Sequence, residues 1–285
     1  MPDAPTLTDV PYGPHPRNLL DLWRAPGAGP QPVYLFVHGG GFYKGDKTDH
    51  CPLLREACLR AGIAFAAVNY RLTDTAIYPA PMLDGARAVQ FLRHRAADWG
   101  LDPDRLALGG SSAGSGIAFW VAFRPDFAAP ADADPVARQS TRVRCIASFN
   151  AQSSYDPLFI RSEISGPAWS IEALQRLFGM SPDRYETDEA RKLFREVHML
   201  DLVTPQTPPV HLFYRRTNAP MTPDLSSGHG IHHPRFGHLL RERMAPLGLE
   251  CIVRSRDDFP AVPDGCIPQI TADETAAFLR RHLRP

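Results

Sequence analysis

Residues 105–123 read RLALGGSSAGSGIAFWVAF, and the reading of this stretch decides the fold. Residues 105–108 form a short apolar run of strand character that ends in Gly109-Gly110. Residues 113–123 are apolar on every side, which is the pattern of a central, buried helix. Between them stands Gly110-Ser111-Ser112-Ala113-Gly114, a G-x-S-x-G run. After a strand and before a helix, this run places Ser112 on a sharp, strained turn with its hydroxyl exposed. Small neighbours let the backbone make the turn. The helix N-terminus adds positive dipole and free N–H groups beside the hydroxyl. A bare G-x-S-x-G is common by chance; in this context it marks Ser112 as a candidate nucleophile.

A second motif lies upstream. His38-Gly39-Gly40-Gly41-Phe42 follows directly after the apolar run 33–37. Glycines let backbone N–H groups approach a substrate closely. One N–H from such a loop, Gly40 or Gly41, joins that of Ala113 to hold the oxyanion of an acyl-transfer intermediate.

Further outward, short apolar runs alternate with amphipathic ones. Strands are expected at 33–37, 63–69, 105–108, 143–149, 210–214 and 251–255. Helices are expected at 50–61, 81–99, 113–123, 236–247 and 272–282. That alternation predicts an α/β fold with a mostly parallel central sheet and helices on both faces. Segment 153–203 is too long for a simple crossover and reads as a small helical cap insertion, with helical patches at 170–178 and 188–194. Segment 215–234 is a long loop rich in Pro, Ser, Gly and His, and loops of this length are usually functional or disordered. No Gly/Ser linker divides the chain, so residues 1–285 are expected to form one domain. The 29 prolines are spread through the connections and suggest rigid loops rather than a linker.

Composition narrows the function. Lys+Arg and Asp+Glu both number 31, so the formal net charge is zero. A nucleic-acid binder would need a basic excess. No run approaches the roughly 18 apolar residues of a membrane span. The first ten residues lack the basic and apolar regions of a signal peptide. The five cysteines form no C-x-x-C pair, so neither a zinc ribbon nor a disulfide framework is indicated, and a cytoplasmic setting is expected.

With these residues on the page, the chain resembles the α/β-hydrolase superfamily, in particular the hormone-sensitive-lipase-like and BD-FAE-like esterases. The matching stretches are HGGGF at 38–42, NYRL at 69–72, YPAPMLD at 78–84, DPDRLALGGSSAG at 102–114 and PPVHLFY at 208–214. The resemblance implies a Ser-His-Asp esterase acting on small acyl esters, in the chain order serine, acid, histidine, with no metal or organic cofactor. The implied partner is a small-molecule ester, with no nucleic acid and no membrane span. The expected assembly is a monomer or a homodimer.

The C-terminal third departs from that pattern. The acid of such enzymes follows the strand 210–214, in a segment like H-G-x-x-D; here Asn218 falls near that position. The histidine should follow the strand 251–255; here the stretch is Arg256-Asp257-Asp258-Phe259-Pro260. His282 is the only histidine beyond residue 238 and reads as a surface residue of the last helix. The loop 215–234 leaves the sheet edge on which α/β sites form and carries His229, His232 and His233, with His238 just beyond. His229 and His232 are the candidate bases; His233 and His238 read as structural. Asp257 or Asp258 is the candidate orienting acid, since geometry and not sequence order defines a triad. Asp224 and Asp156 are further acid candidates. The histidine cluster with Asp224 also admits a metal reading, although it lacks a helical H-x-x-x-H face. Asn69, Tyr70, Arg71 and Asp84 are expected to brace the glycine loop. Trp169 and Phe178 are expected as core or as lining of an acyl pocket.

Two functions follow. The first is a serine carboxylesterase that cleaves small or medium acyl esters through an acyl-enzyme on Ser112. The second is an α/β-hydrolase scaffold with a degenerate triad that binds a small molecule or partner with weak or no turnover.

Overall fold

Strand β5 (Leu101–Ser111) runs through the middle of the sheet and delivers Ser111 to its C-terminal edge. The computed structural model describes residues 4–284; residues 1–3 and 285, the ends of the expected domain and part of the N-terminal reading, lie outside the described residues. Around β5 stand β1 (Leu7–Pro11), β2 (Leu19–Trp23), β3 (Gln31–Val37), β4 (Ala64–Val68), β6 (Cys145–Phe149), β7 (Val210–Tyr214) and β8 (Cys251–Ser255). The eight strands lie in the order β1-β2-β4-β3-β5-β6-β7-β8. From β4 to β8 every pair is parallel, while β1–β2 and β2–β4 are antiparallel.

Parallel neighbours need crossover segments, and here these carry α1 (Pro52–Arg60), α2 (Ala80–Arg95), α3 (Ala113–Phe123) and α8 (Arg235–Met244), while α9 (Ile267–His282) follows the last strand. The helices cover both faces, which is why the central strands read as unbroken apolar runs. On one face Val33, Leu35, Val37, Leu106 and Leu108 pack with α2, α3 and α8. On the other, Tyr34, Phe36, Phe65 and Ala107 pack with α1 and α9. All eleven residues of α3 are buried.

Two strands and two short helices escaped the sequence reading. Strands β1 and β2 precede the region where alternation is visible. LLDLW in β2 is too short for its alternation to stand out, and its buried Asp21 is held by Lys47 at 2.7 Å. Residues 150–209 carry α4 (Pro157–Glu163), which was not expected, and α5 (Glu172–Phe178) and α6 (Asp188–Arg195) at the two expected helical patches, joined by single 3₁₀ turns. The loop after β7 contains one short helix, α7 (Ser227–Gly230).

Candidate active site

Ser112 stands between β5 and α3 with φ of +50° and ψ of −116°. This is a left-handed conformation that costs a non-glycine residue about 1–3 kcal/mol and must be held by its surroundings. The Ser112 N–H donates to Phe149 O at 2.9 Å, and its carbonyl accepts from Ser115 N at 2.9 Å. A Cβ at Gly110 would stand 2.3 Å from Val37 O, and one at Gly114 would stand 2.1 Å from the same oxygen. The spacing G-x-S-x-G is therefore a packing requirement: both glycines lie against the backbone of β3.

Strand β3 also delivers the glycine loop. Gly40 and Gly41 take positive φ of 103° and 60°, and Phe42 follows at 68°. The loop closes on itself through Tyr43 N and Lys44 N, which both donate to Gly40 O. Among the described residues, no backbone carbonyl accepts from the N–H of Gly40, Gly41 or Ala113. Unengaged donors at a pocket wall are what an oxyanion needs.

His38 braces this loop from beneath. It is fully buried, stacks on Tyr70 at 4.3 Å, and contacts Gly39 O through Nδ1 at 2.6 Å. A carbonyl can only accept, so Nδ1 carries the proton and Nε2 faces Arg17 Nη2 at 3.3 Å. Burial pushes its pKa down to about 4, so the ring is neutral. Arg17 also donates to Gly45 O and Tyr70 O, both at 2.9 Å, and Tyr70 lies 3.3 Å from His38 O. Asn69 accepts from Lys47 N at 2.6 Å and donates to Asp46 at 2.7 Å. The expected bracing by Asn69 and Tyr70 is thus made. Arg71 and Asp84 instead form a bidentate pair that ties the chain after β4 to α2. Arg17 was missed because nothing in its sequence neighbourhood points to the loop it serves.

The histidine at the serine is His232. Its Nε2 lies 2.9 Å from Ser112 Oγ. Its Nδ1 lies 3.0 Å from Gly228 O, one turn earlier in the chain. The carbonyl demands a proton on Nδ1, which leaves Nε2 as the acceptor toward the serine. The turn of α7, capped by the Ser226 hydroxyl on His229 N at 3.3 Å, both carries the imidazole and orients it. Burial, and secondarily the Arg216 guanidinium, lowers the His232 pKa below its ordinary value; the Gly228 contact opposes this.

The other candidates lie elsewhere. His229 stacks on His233 at 5.8 Å and makes no bond to Ser112. His233 contacts Ala219 O at 3.0 Å and accepts from Arg235 N at 3.1 Å, and His238 lies within α8. Asp258 does not reach the imidazole. Its carboxylate accepts from Ser255 N at 2.7 Å in a capping box and faces Arg254 at 3.7 Å. Asp257 accepts from Asn218 N at 2.5 Å. Short side chains on a tight 3₁₀ turn satisfy that turn first. Asp156 caps α4 through Leu158 N at 2.8 Å, and Asp224 is exposed and held by Thr222. His282 pairs with Glu250 at 2.9 Å. Among the described residues, no three His, Cys, Asp or Glu side chains converge as a metal site.

A cavity of about 340 Å³ opens over the serine. Gly40, Gly41, Ser112, Ala113 and His232 share its wall with Ile171, Ala173 and Leu174 of segment 150–209. Trp169 and Phe178 do not line it. Trp169 packs on Tyr185 at 6.3 Å, and Phe178 on Phe194 at 5.0 Å. A larger cavity of about 660 Å³ lies between α1 and α9 and touches the first at Ser111. The serine–histidine contact is not in it, so size does not choose the reactive site here. No helix among the described residues is long and apolar enough to cross a membrane.

Known proteins share this frame. Esterase LipQ of Mycobacterium tuberculosis is 35% identical over 119 residues, which is 40% of this chain and 28% of LipQ. A probable isoprenylcysteine alpha-carbonyl methylesterase of Arabidopsis thaliana, ICMEL1, is 31% identical over 150 residues, 52% of this chain and 31% of that protein. The chain thus spans about a third of the length of the curated relatives it matches. Among solved structures, the esterase 2 of Thermogutta terrifontis phosphonylated by sarin superposes with a TM-score of 0.73, covering 98% of this chain and 96% of that one at 19% identity. A truncated carbohydrate esterase from gut microbiota reaches 0.74, covering 97% and 95% at 14% identity. These likenesses show the α/β-hydrolase fold. The BD-FAE family model matches residues 20–219, a span that contains the glycine loop and the serine turn and ends before His232. The chain therefore belongs to the BD-FAE family.

Proposed function

We propose that this protein is a serine carboxylesterase acting on small or medium acyl esters, with Ser112 as nucleophile and His232 as general base. The observation that carries the reading is the 2.9 Å contact of Ser112 Oγ with His232 Nε2, on a serine held at φ +50°. Ser112 Oγ attacks the ester carbonyl as its proton passes to His232 Nε2. The oxyanion is received by the N–H groups of Ala113 and of Gly40 or Gly41. His232 then returns the proton to the leaving alkoxide, which departs as an alcohol and leaves an acyl-enzyme. Water repeats the sequence and releases the acid. Segment 153–203 acts as a cap, since Ile171, Ala173 and Leu174 wall the pocket. The cavity volume supports acyl arms of modest length.

One observation favours the scaffold with weak turnover. The Gly228 carbonyl fixes the tautomer of His232 but brings only a dipole to the imidazolium that forms. In the serine protease example, replacing the triad acid by its amide lowers turnover by about 10⁴.

Fluorophosphonate labelling at pH 7.5, read by intact mass, decides between the two. Under the esterase reading the wild type gains one adduct, Ser112→Ala gains none, and His232→Ala gains it about 10³-fold more slowly or worse. An unlabelled wild type, under conditions that label an ordinary esterase, overturns it.

A further inference from the structure

The serine turn, the glycine loop and the histidine segment come from distant stretches of the chain, yet one buried pair joins them. Gln152 and Tyr155 follow β6 and are 1% and 3% exposed. The Gln152 side-chain amide donates through Nε2 to Ile231 O at 2.6 Å and to Asn150 O at 2.8 Å. Its Oε1 accepts from the Tyr155 hydroxyl at 2.7 Å. That hydroxyl also lies 3.2 Å from Ser112 O. The Tyr155 ring meets Phe42, the last residue of the glycine loop motif, edge-on at 5.2 Å. It also lies close against α3, where a Cβ on Gly116 would come within 2.1 Å of it.

We propose that Gln152 and Tyr155 are positioning residues for the base: an uncharged strut that clamps the peptide before His232 onto the serine turn, in a site where no carboxylate among the described residues holds the imidazole. This rests on His232 being the base.

The hydrogen-bond inventory makes the strut rigid. An amide NH₂ has two protons, and two carbonyls take them. Flipping the amide would turn its oxygen toward both carbonyls, so one orientation is enforced. Burial raises the Tyr155 pKa far above its ordinary value, so the phenol remains a donor. Its single proton goes to the shorter contact, on Gln152, and Ser112 O is the secondary acceptor. Asn150, the second carbonyl held by Gln152, sits at φ +49° and takes Arg215 N on its side chain at 3.0 Å. The strut thus fixes the end of β6, the start of the loop after β7 and, through Tyr155, the serine turn. His232 hangs one bond beyond the clamped Ile231 carbonyl. A shift of about 1 Å there would open the contact with Ser112 Oγ, and a misplacement of that size can cost about 10²-fold in rate.

The test is a mutant cycle on the full chain. Gln152→Leu and Tyr155→Phe are each made in the wild type and in His232→Ala. Fluorophosphonate labelling rates are measured for all, with kcat and KM on p-nitrophenyl acetate and a thermal midpoint for each. In the wild type, Gln152→Leu is expected to lower kcat and labelling about 10-fold or more, with KM changed by less than about 3-fold. In His232→Ala, the same change is expected to alter the residual rate by less than about 2-fold, because the imidazole whose placement the strut controls is already gone. Tyr155→Phe shows the same pattern with a smaller loss, and it carries the test if Gln152→Leu fails to fold. An unchanged rate, or an equal fractional loss in both backgrounds, overturns the strut. A His232→Ala protein that labels like the wild type overturns the base and the strut together, and that single variant tells the two failures apart.

Discussion

The imidazole of His232 donates a hydrogen bond from Nδ1 to the carbonyl of Gly228, 3.0 Å away, while the carboxylate of Asp258 caps its own turn on Ser255 N. The two residues expected to form one relay therefore belong to separate local structures.

His232 and His229 are three residues apart, but only His232 meets Ser112. His232→Ala is expected to lower fluorophosphonate labelling and ester turnover by about 10³-fold or more, as loss of a base does. His229→Ala is expected to stay within about 3-fold, since loss of an unengaged neighbour removes no step from the reaction. Equal losses in both variants would mean that the loop shape matters and the Ser112 contact does not.

A general base must be unprotonated to accept the serine proton. Burial and Arg216 hold the His232 pKa below 6.5, so the acid limb of kcat/KM is expected to have its midpoint below pH 6.5. Arg216→Glu replaces a cation by an anion and favours the imidazolium. That variant is expected to move the midpoint upward. A midpoint at or above 6.5 in the wild type, or no upward movement in Arg216→Glu, counts against His232 as the titrating group.

Asp258→Ala is expected to leave turnover within about 2-fold, because its carboxylate touches neither Ser112 nor His232. It is expected to lower unfolding stability by about 1 kcal/mol through loss of the cap at the start of its 3₁₀ turn. Denaturant unfolding and a p-nitrophenyl ester assay read the two effects separately. A large loss of activity without loss of stability would restore Asp258 to the relay.

Gly114→Ala places a methyl 2.1 Å from Val37 O, against backbone that cannot step aside. The expected cost is about 1–3 kcal/mol, seen as a fall in the thermal midpoint, together with loss of labelling at Ser112. Retained labelling at full stability would mean that the serine turn does not depend on this contact.

His38 gives stability its own pH dependence. Its folded pKa of about 4 lies below the ordinary 6.5, so the folded state binds fewer protons than the unfolded state. Its contribution is complete above pH 6.5 and is lost as pH falls from 6.5 toward 4. The urea midpoint is expected to fall through that window, and His38→Gln is expected to flatten the fall. A midpoint that does not change between pH 6.5 and 4.5 would contradict a neutral, buried His38.

The sequence by itself determined the parts of this protein that are local. The alternation of apolar runs and helices, the serine turn between β5 and α3, and the glycine loop after β3 are each written in a few consecutive residues. Their backbone geometry leaves a contiguous mark: glycines where β3 comes close, and a wholly apolar helix where no face meets water. Tertiary structure alone decided the rest. Of the four histidines at 229, 232, 233 and 238, the sequence singled out His229 and His232 as candidate bases, and nothing in it chose between those two. Which one meets Ser112 depends on where the loop after β7 folds over the sheet edge. That path is held by bonds between distant residues, such as Gln152 to Ile231. The orienting acceptor was invisible for a different reason. It is the Gly228 carbonyl, a group that every residue carries, and only the folding of one helical turn aims it at an imidazole.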